Sequence, residues 1–124
     1  MAKDRAKTKF TLAWPPSLNV YYRHVGPRVL ISAKGQEYRR NIIATIWDGK
    51  PKTPLIGPLT LMGVFRRPDR RRRDLDNLLK CICDSLTHAG VYKDDSQIQH
   101  IDIRFSPEVV EGGAVDVTLM PYKG

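Results

Sequence analysis

Acidic and basic side chains are grouped in blocks along the middle of the sequence. Six arginines lie within residues 66–73, and the sign of the charge reverses at Asp74 and Asp76. A second acidic pair, Asp94 and Asp95, follows further along the chain. Proteins bind hard cations such as Mg²⁺ through one or two carboxylates together with substrate phosphate oxygens, and clustered arginines attract phosphate. This stretch is therefore the candidate site for metal-assisted chemistry on a phosphate ester.

A helix is predicted directly after the arginines. Apolar residues between Leu75 and Ala89 recur with the spacing of one helical face, and Gly90 is expected to end the helix. Asp74 precedes the first turn, where a carboxylate caps free backbone amides. Asp76 and Lys80 fall on one flank outside the apolar face. We therefore expect Asp74, Asp76 and Lys80 to point toward one spot near the start of the helix.

The acidic pairs also have a simpler interpretation. Asp74 and Asp76 would then only cap the helix and pair with neighbouring arginines, without binding a metal ion. The later pair, Asp94 and Asp95, is separated from them by a helix about 22 Å long. It joins the first pair only if the chain packs back on itself or if a second subunit supplies it.

Four segments of the chain together resemble a known family. The runs Asp69 to Lys80, Leu86 to Ile98, Leu12 to His24 and Ile31 to Arg39 are similar to the signature of the RusA family of Holliday-junction resolvases. This resemblance implies a homodimeric endodeoxyribonuclease that cuts four-way DNA junctions by paired symmetric nicks during recombination and repair. It also implies dependence on Mg²⁺, with Mn²⁺ as a substitute.

The resemblance assigns roles to individual residues. Asp74, Asp76 and Asp95 match the catalytic acids of the family and are expected to hold the metal ion, with Asp94 beside them. Lys80 matches the essential lysine of the family and is expected to neutralise charge on the phosphate or to orient the attacking water. Water would attack the phosphodiester in line and leave a 5′-phosphate and a 3′-hydroxyl. The arginines are assigned to DNA phosphates: Arg66, Arg67, Arg70, Arg71, Arg72 and Arg73.

Composition also favours a nucleic-acid partner. The chain has 124 residues, of which 41% are hydrophobic, so we expect one small domain. Its net charge of +8 is typical of a protein that binds polyanions. No stretch has the apolar run of a signal peptide or of a membrane span, so we expect a cytoplasmic protein with no membrane partner. The family resemblance implies a gene of bacterial or phage origin. Cys81 and Cys83 are expected to be reduced packing residues, because a helix points them apart.

The remaining sequence predicts the α/β class, specifically an α+β fold with a small mixed sheet and two main helices. Residues 1–9 are expected to form a flexible basic tail and residues 10–121 the domain. Strands are predicted over 10–14, 28–32, 59–65, 98–105 and 114–120, and alternating apolar residues are clearest in the first and in the last two of them. The Gly112-Gly113 turn is expected to join the last two strands in a hairpin. The second main helix is predicted over 33–47, with Ser32 as its cap.

Residues 15–26 are predicted to form a loop. Its polar and aromatic side chains suit contacts with phosphates or unpaired bases, although aromatic residues in loops more often pack locally. The candidates for DNA contact in this loop are Asn19, Tyr21, Tyr22 and Arg23.

Three rival functions are consistent with the charge pattern. The chain could be a DNA-binding module without catalysis, a nuclease that prefers flaps or replication forks, or a partner of an acidic protein. Incubation of a synthetic four-way junction with Mg²⁺ separates a resolvase from a binding module. Flap and fork substrates tested side by side separate the two nucleases.

Overall fold

The computed structural model describes residues 7–123, in which two helices pack on one face of a four-stranded sheet. The strands of this sheet are β1 (Thr8–Leu12), β4 (Leu59–Arg67), β5 (Ile98–Val109) and β6 (Ala114–Pro121). The two packed helices are α2 (Ala33–Ile46) and α3 (Leu75–His88). The smaller elements are the helix α1 (Leu18–Tyr21), the strands β2 (Tyr22–Val25) and β3 (Arg28–Ile31), and a 3-10 turn (Asp95–Gln97). The predicted α+β fold with a mixed sheet and two main helices is confirmed.

The sheet has the strand order β1-β6-β4-β5, with β5 parallel to β4 and β6 antiparallel to it. The predicted hairpin between β5 and β6 is wrong, because β4 lies between these strands. Their connection passes over the end of β4, where the Val110 amide donates to the Arg67 carbonyl over 2.9 Å. Gly112 and Gly113 both have positive φ, which the turn needs and glycine adopts without strain.

Helix α3 is the crossover that joins the parallel strands β4 and β5. Two parallel strands cannot be joined by a tight turn, so the connecting helix must run back along the sheet. Arg66 and Arg67 are therefore the last two residues of β4, and the other four arginines lie between β4 and the start of α3. Asp94 and Asp95 lie between the end of α3 and the start of β5, at the other end of the helix.

The core lies between the sheet and the apolar faces of α2 and α3. On β4, Leu61 and Phe65 are buried whereas Met62 is 40% exposed, as expected for a sheet that is covered on one face. On α3, the residues predicted for the apolar face include Leu78, Ile82 and Leu86, and all of these are buried. The predicted helix is confirmed, and Gly90 follows its end with a positive φ.

The amino-terminal third differs most from the prediction. Strand β1 begins at Thr8, two residues before the predicted start, and residues 1–6 of the expected tail lie outside the described residues. Residues 15–26 do not form a loop throughout, because they contain α1 and β2. Strand β2 pairs with β3 as an antiparallel hairpin. This hairpin was not predicted because exposed residues on both strands hide the alternation that marks a half-buried strand.

Two residues hold α1 against the start of α2. Ser32 caps α2 by accepting from the Gly35 amide over 2.9 Å, as predicted, and its hydroxyl lies 3.0 Å from the Tyr21 carbonyl oxygen. A Cβ atom at Gly35 would collide with that same carbonyl oxygen. Glycine is therefore required at this position for α1 to approach α2, although it weakens the first turn of α2.

Candidate active site

The first acidic pair lies at the amino-terminal end of α3. Asp74 caps the helix, with its Oδ1 accepting from the Asp76 amide over 3.0 Å, so this part of the prediction is confirmed. Both side chains are exposed. The partial positive charge of a helix amino terminus favours negative groups at this position. The pair is therefore accessible to a cation and to substrate.

Lys80 lies one helical turn after Asp76. At 100° per residue the two side chains are separated by about 40° around the helix axis, so they share one flank of α3. Lys80 is exposed and forms no ion pair within residues 7–123. Its ammonium group is thus available to a phosphate beside the first acidic pair.

Asp95 lies at the opposite end of the same flank. Its Oδ1 accepts from the Thr87 hydroxyl, and the buried Tyr92 hydroxyl lies 3.1 Å from the same oxygen. Burial raises the pKa of Tyr92, so this phenol keeps its single proton, which the Asp95 oxygen shares with the Cys83 carbonyl oxygen 3.0 Å away. Thr87 lies eleven residues after Asp76 on α3, which corresponds to a rise of about 16 Å.

The two acidic pairs therefore do not meet within one chain. Residues 7–123 contain no group of three or more His, Cys, Asp or Glu side chains placed to hold a metal ion. The chain does not pack back to bring Asp95 to Asp74, and the alternative left by the sequence is a second subunit.

Asp94 has a structural role in the chain. It caps the 3-10 turn by accepting from the Ser96 amide over 2.9 Å, and the Gln97 side chain accepts from the Asp94 amide over 3.1 Å. Gln97 in turn donates to the carbonyl oxygens of Leu55 and Gly57. This network fixes the backbone on which Asp95 is carried.

Three of the six arginines contact other side chains of the protein. Arg66 contacts Asp116 over 3.0 Å, and the Arg67 guanidinium lies 5.0 Å from the centre of the Phe105 ring. Arg73 donates to Asp69 over 2.7 Å. That hydrogen bond, followed by one from the Arg71 amide, lowers the pKa of Asp69 to about 2. The predicted phosphate contacts of these arginines therefore compete with contacts inside the chain.

The other three arginines, Arg70, Arg71 and Arg72, are exposed. Arg71 has only a distant ionic neighbour, Asp69, at 3.9 Å. Arg72 is only two residues before Asp74, the cap of α3, so its charge lies beside the first acidic pair. Within the part of the chain that the structure describes, none of these three side chains forms an ion pair shorter than 3.9 Å, so all three can reach a phosphate backbone.

The expected DNA contact of Tyr21 is not supported. Tyr21 is fully buried, and its hydroxyl donates to Asp84, which also accepts from Arg39 over 2.6 Å. Burial and then Asp84 raise the pKa of Tyr21 to about 12. A side chain engaged in this way is closed to bases and phosphates. The other three candidates keep some exposure: Asn19, Tyr22 and Arg23.

Sequence reasoning missed Asp84 and Arg39 as partners. Asp84 lies one turn after Lys80 on the flank of α3, but Arg39 belongs to α2 and is distant in sequence. No local pattern predicts an ion pair between two helices. The sequence offered only an acidic residue on one predicted helix and a basic residue on the other. In this pair Arg39 neutralises Asp84, the carboxylate that lies between the two ends of α3.

Cys81 and Cys83 are free and buried, as expected. Burial raises the pKa of Cys81 to about 11 and that of Cys83 to about 12. Neutral thiols in the core are poor metal ligands and poor nucleophiles.

None of the described helices is long and apolar enough to cross a membrane.

Exposed carboxylates beside exposed arginines on an α+β domain define a protein suited to act on phosphodiesters. Comparison with known proteins identifies the family. Residues 13–120 match the family described as Endodeoxyribonuclease RusA, and the chain belongs to this family. The resemblance seen in the sequence is thereby confirmed.

Curated relatives share most of their length with this chain. It is 44% identical over 109 residues to a crossover junction endodeoxyribonuclease RusA of Shigella sonnei (strain Ss046), with 88% of this chain and 90% of the relative covered. The corresponding protein of Escherichia coli (strain K12) is 43% identical with the same coverage. That of Enterobacteria phage 82 is 44% identical, again over 88% and 90% of the two chains.

Proposed function

We propose that this protein is an endodeoxyribonuclease that resolves four-way DNA junctions by paired symmetric nicks in recombination and repair. Membership of the family and the names of its bacterial and phage relatives support this function. The observation that carries the proposal is the exposed pair Asp74 and Asp76 next to exposed arginines. The helix cap accounts for Asp74, but a binding module would gain nothing from Asp76, an exposed carboxylate that repels phosphate and has no side-chain partner within the described residues.

The exposed acids fit a hard divalent cation, Mg²⁺ or Mn²⁺ in its place. Such ions are held by one or two carboxylates, with phosphate oxygens and water completing the shell. Asp74 and Asp76 would hold the ion together with Asp95, and Asp94 is a further candidate ligand. When bound, the ion would polarise the phosphate and favour ionisation of water.

The other residues of the site act on the DNA directly. Lys80 neutralises the negative charge that grows on the phosphate in the transition state, where a fixed cation is most effective. The exposed arginines hold the backbone on either side of the cut. Since they contact phosphates rather than base edges, they give affinity with little preference for sequence.

A homodimer would complete the site. Within one chain Thr87, whose hydroxyl donates to Asp95, lies about 16 Å along α3 from Asp76, so the Asp95 that joins Asp74 and Asp76 would come from the second subunit. Two such sites related by a two-fold axis would face two opposed strands of a junction, which has matching symmetry. Paired nicks follow from this arrangement because each dimer carries two equivalent sites.

Mixing two inactive variants tests this arrangement. Asp76→Asn and Asp95→Asn are each expected to abolish cutting of a synthetic junction in Mg²⁺. In a mixed dimer, the site built from Asp76 of one chain and Asp95 of the other keeps both acids. Mixing should therefore restore nicking, at one strand only.

The outcome separates the two arrangements of the site. If each chain carried a complete site, both sites of the mixed dimer would lack one acid and mixing would restore nothing. Failure of the unaltered protein to cut any four-way junction in Mg²⁺ or Mn²⁺ would reject the proposed activity. Flap and fork substrates in the same assay measure how far it prefers junctions.

A further inference from the structure

A cavity opens beside Asp74, between the start of α3 and the segment that leads from β1 into α1. Its volume is about 230 Å³. Its lining combines apolar side chains with hydroxyl, amide and charged groups. The apolar lining residues include Trp14, Leu18 and Leu78, the uncharged polar ones are Ser17, Asn19 and Asn77, and the charged ones are Arg72, Arg73 and Asp74.

The Trp14 wall is fixed in place by its neighbours. Its ring meets the Phe65 ring edge-on, with centres 6.0 Å apart and planes at 88°. The Arg73 guanidinium lies 5.5 Å from the ring centre and is itself held by Asp69 over 2.7 Å. A Cβ atom at Gly113 would come within 3.0 Å of the same ring. The cavity is therefore preformed, which lowers the entropic cost of binding.

The walls suit a flat ring with a polar edge. Pockets for drug-sized molecules occupy about 300–1,000 Å³, so a cavity of about 230 Å³ suits a single ring system. Arg72, Arg73 and Asp74 also line the cavity, so a phosphate there would meet both attraction and repulsion and would leave the apolar lining without a partner. A nucleobase suits the whole lining, because its faces stack on aromatic groups and its edge bonds to amides such as those of Asn19 and Asn77.

We propose that this cavity binds one unpaired nucleobase of the DNA strand whose phosphate lies at Asp74. The proposal rests on the proposed function, which brings a branched DNA backbone to the start of α3. A base must leave the helical stack to enter, and this costs least where pairing is already disturbed. The branch point of a junction supplies such bases, so the cavity would position the strand relative to the acids.

Abasic junctions test whether a base occupies the cavity. A set of four-way junctions is made in which each position near the branch point in turn lacks its base. Binding is measured by fluorescence anisotropy in EDTA, so that no cutting occurs. We expect the unaltered protein to bind one abasic junction about 5- to 150-fold more weakly than the intact junction, the range for loss of one stacked base.

A variant that fills the cavity should cancel this difference. Asn19→Leu removes an exposed amide and adds aliphatic volume at the rim. It should bind the intact junction as weakly as the unaltered protein binds the sensitive abasic junction, with no further loss on the abasic one. Ser17→Leu, at another exposed position of the rim, should behave in the same way and guards against misfolding of the first variant.

Asn41→Leu is the matched control. Asn41 is exposed on α2 and lines a neighbouring cavity of about 400 Å³, which shares Trp14 and Pro15 with the first cavity but none of its amide groups. This variant should keep the full response to the abasic junction. Equal abasic responses in Asn19→Leu, Ser17→Leu and the unaltered protein would overturn the proposal, as would indifference of the unaltered protein to every abasic position.

These results are distinguishable from failure of the proposed function. Cutting of the intact junction by the unaltered protein in Mg²⁺ would stand even if the cavity bound no base. If the unaltered protein neither bound nor cut the intact junction, the proposed function and the cavity proposal would both be rejected.

Discussion

The two ends of α3 carry the same type of side chain in different settings. At the amino-terminal end, Asp74 uses one oxygen for a backbone amide, and Asp76 is exposed without a side-chain partner within the described residues. At the other end, Asp95 is held by the Thr87 and Tyr92 hydroxyls. One end thus offers adaptable carboxylates, and the other offers a carboxylate whose direction is fixed.

This difference shows how a divided site can be built from a single helix. A metal ion needs some ligands that are oriented in advance, since outer hydrogen bonds of this kind raise affinity and fix geometry. It also needs ligands that adjust to the incoming phosphate. A dimer that joins one end of α3 to the opposite end in its partner would combine the two properties.

The largest effect is expected from Asp76→Asn. Loss of a ligand removes metal stabilisation worth several kcal/mol, so cutting should fall about 10²-fold or more. Junction binding should be unchanged or tighter, because a charge that repels phosphate is gone. Cleavage rates and gel-shift titrations measure the two properties. Asp102→Asn, at an exposed position on β5, is the control and should change neither. Loss of both properties in Asp76→Asn would show that Asp76 is structural.

A smaller effect is expected from Thr87→Val at the other end of α3. The variant keeps Asp95 but removes a hydroxyl that orients it. Removing such outer partners typically costs about 10- to 100-fold in metal affinity. The Mg²⁺ concentration for half-maximal cutting should rise by at least about 10-fold, while cutting at saturating Mg²⁺ changes less.

Thr45→Val is the control for this variant. The Thr45 hydroxyl donates to the Asn41 carbonyl oxygen within α2, over 2.8 Å, and has no acidic partner within the described residues. Equal Mg²⁺ dependence of both variants would contradict the view that the fixed direction of Asp95 matters.

Arg39→Ala tests the carboxylate that lies between the two ends. Arg39 and Asp84 are 2.6 Å apart, with side chains 19% and 29% exposed. Leaving Asp84 and the Tyr21 hydroxyl without this donor should lower the free energy of unfolding by about 1–3 kcal/mol. Urea denaturation measures the loss. Arg40→Ala, at an exposed neighbouring position, should change it by no more than about 0.5 kcal/mol. Similar losses in both would mean that the ion pair contributes little.

Local patterns predicted the elements that carry the site. The apolar spacing along α3 and the cap at Asp74 depend only on nearby residues, so the helix and its amino-terminal acids were predictable. The pairing of β6 with β4 instead of β5 was not, because it depends on contacts between distant segments. For the same reason, sequence could not show that Tyr21 is buried against Asp84. The turn at Gly112-Gly113 is a true turn, but local turn chemistry does not say which strands it brings together.

The smallest expected effect is on the salt dependence of DNA binding, and it distinguishes exposed arginines from those that contact other side chains of the protein. Removing one arginine that binds a phosphate of B-DNA should make the slope of log K against log salt shallower by about 0.9. Arg72→Ala should show this change, because Arg72 is exposed beside the first acidic pair. Arg67→Ala should leave the slope unchanged, because its guanidinium stacks on Phe105 at 5.0 Å. Junction titrations at several salt concentrations measure both slopes. If both slopes became shallower by the same amount, the Arg67 guanidinium would have to leave Phe105 on binding DNA. Contacts with other residues of the chain would then not show which arginines bind phosphate.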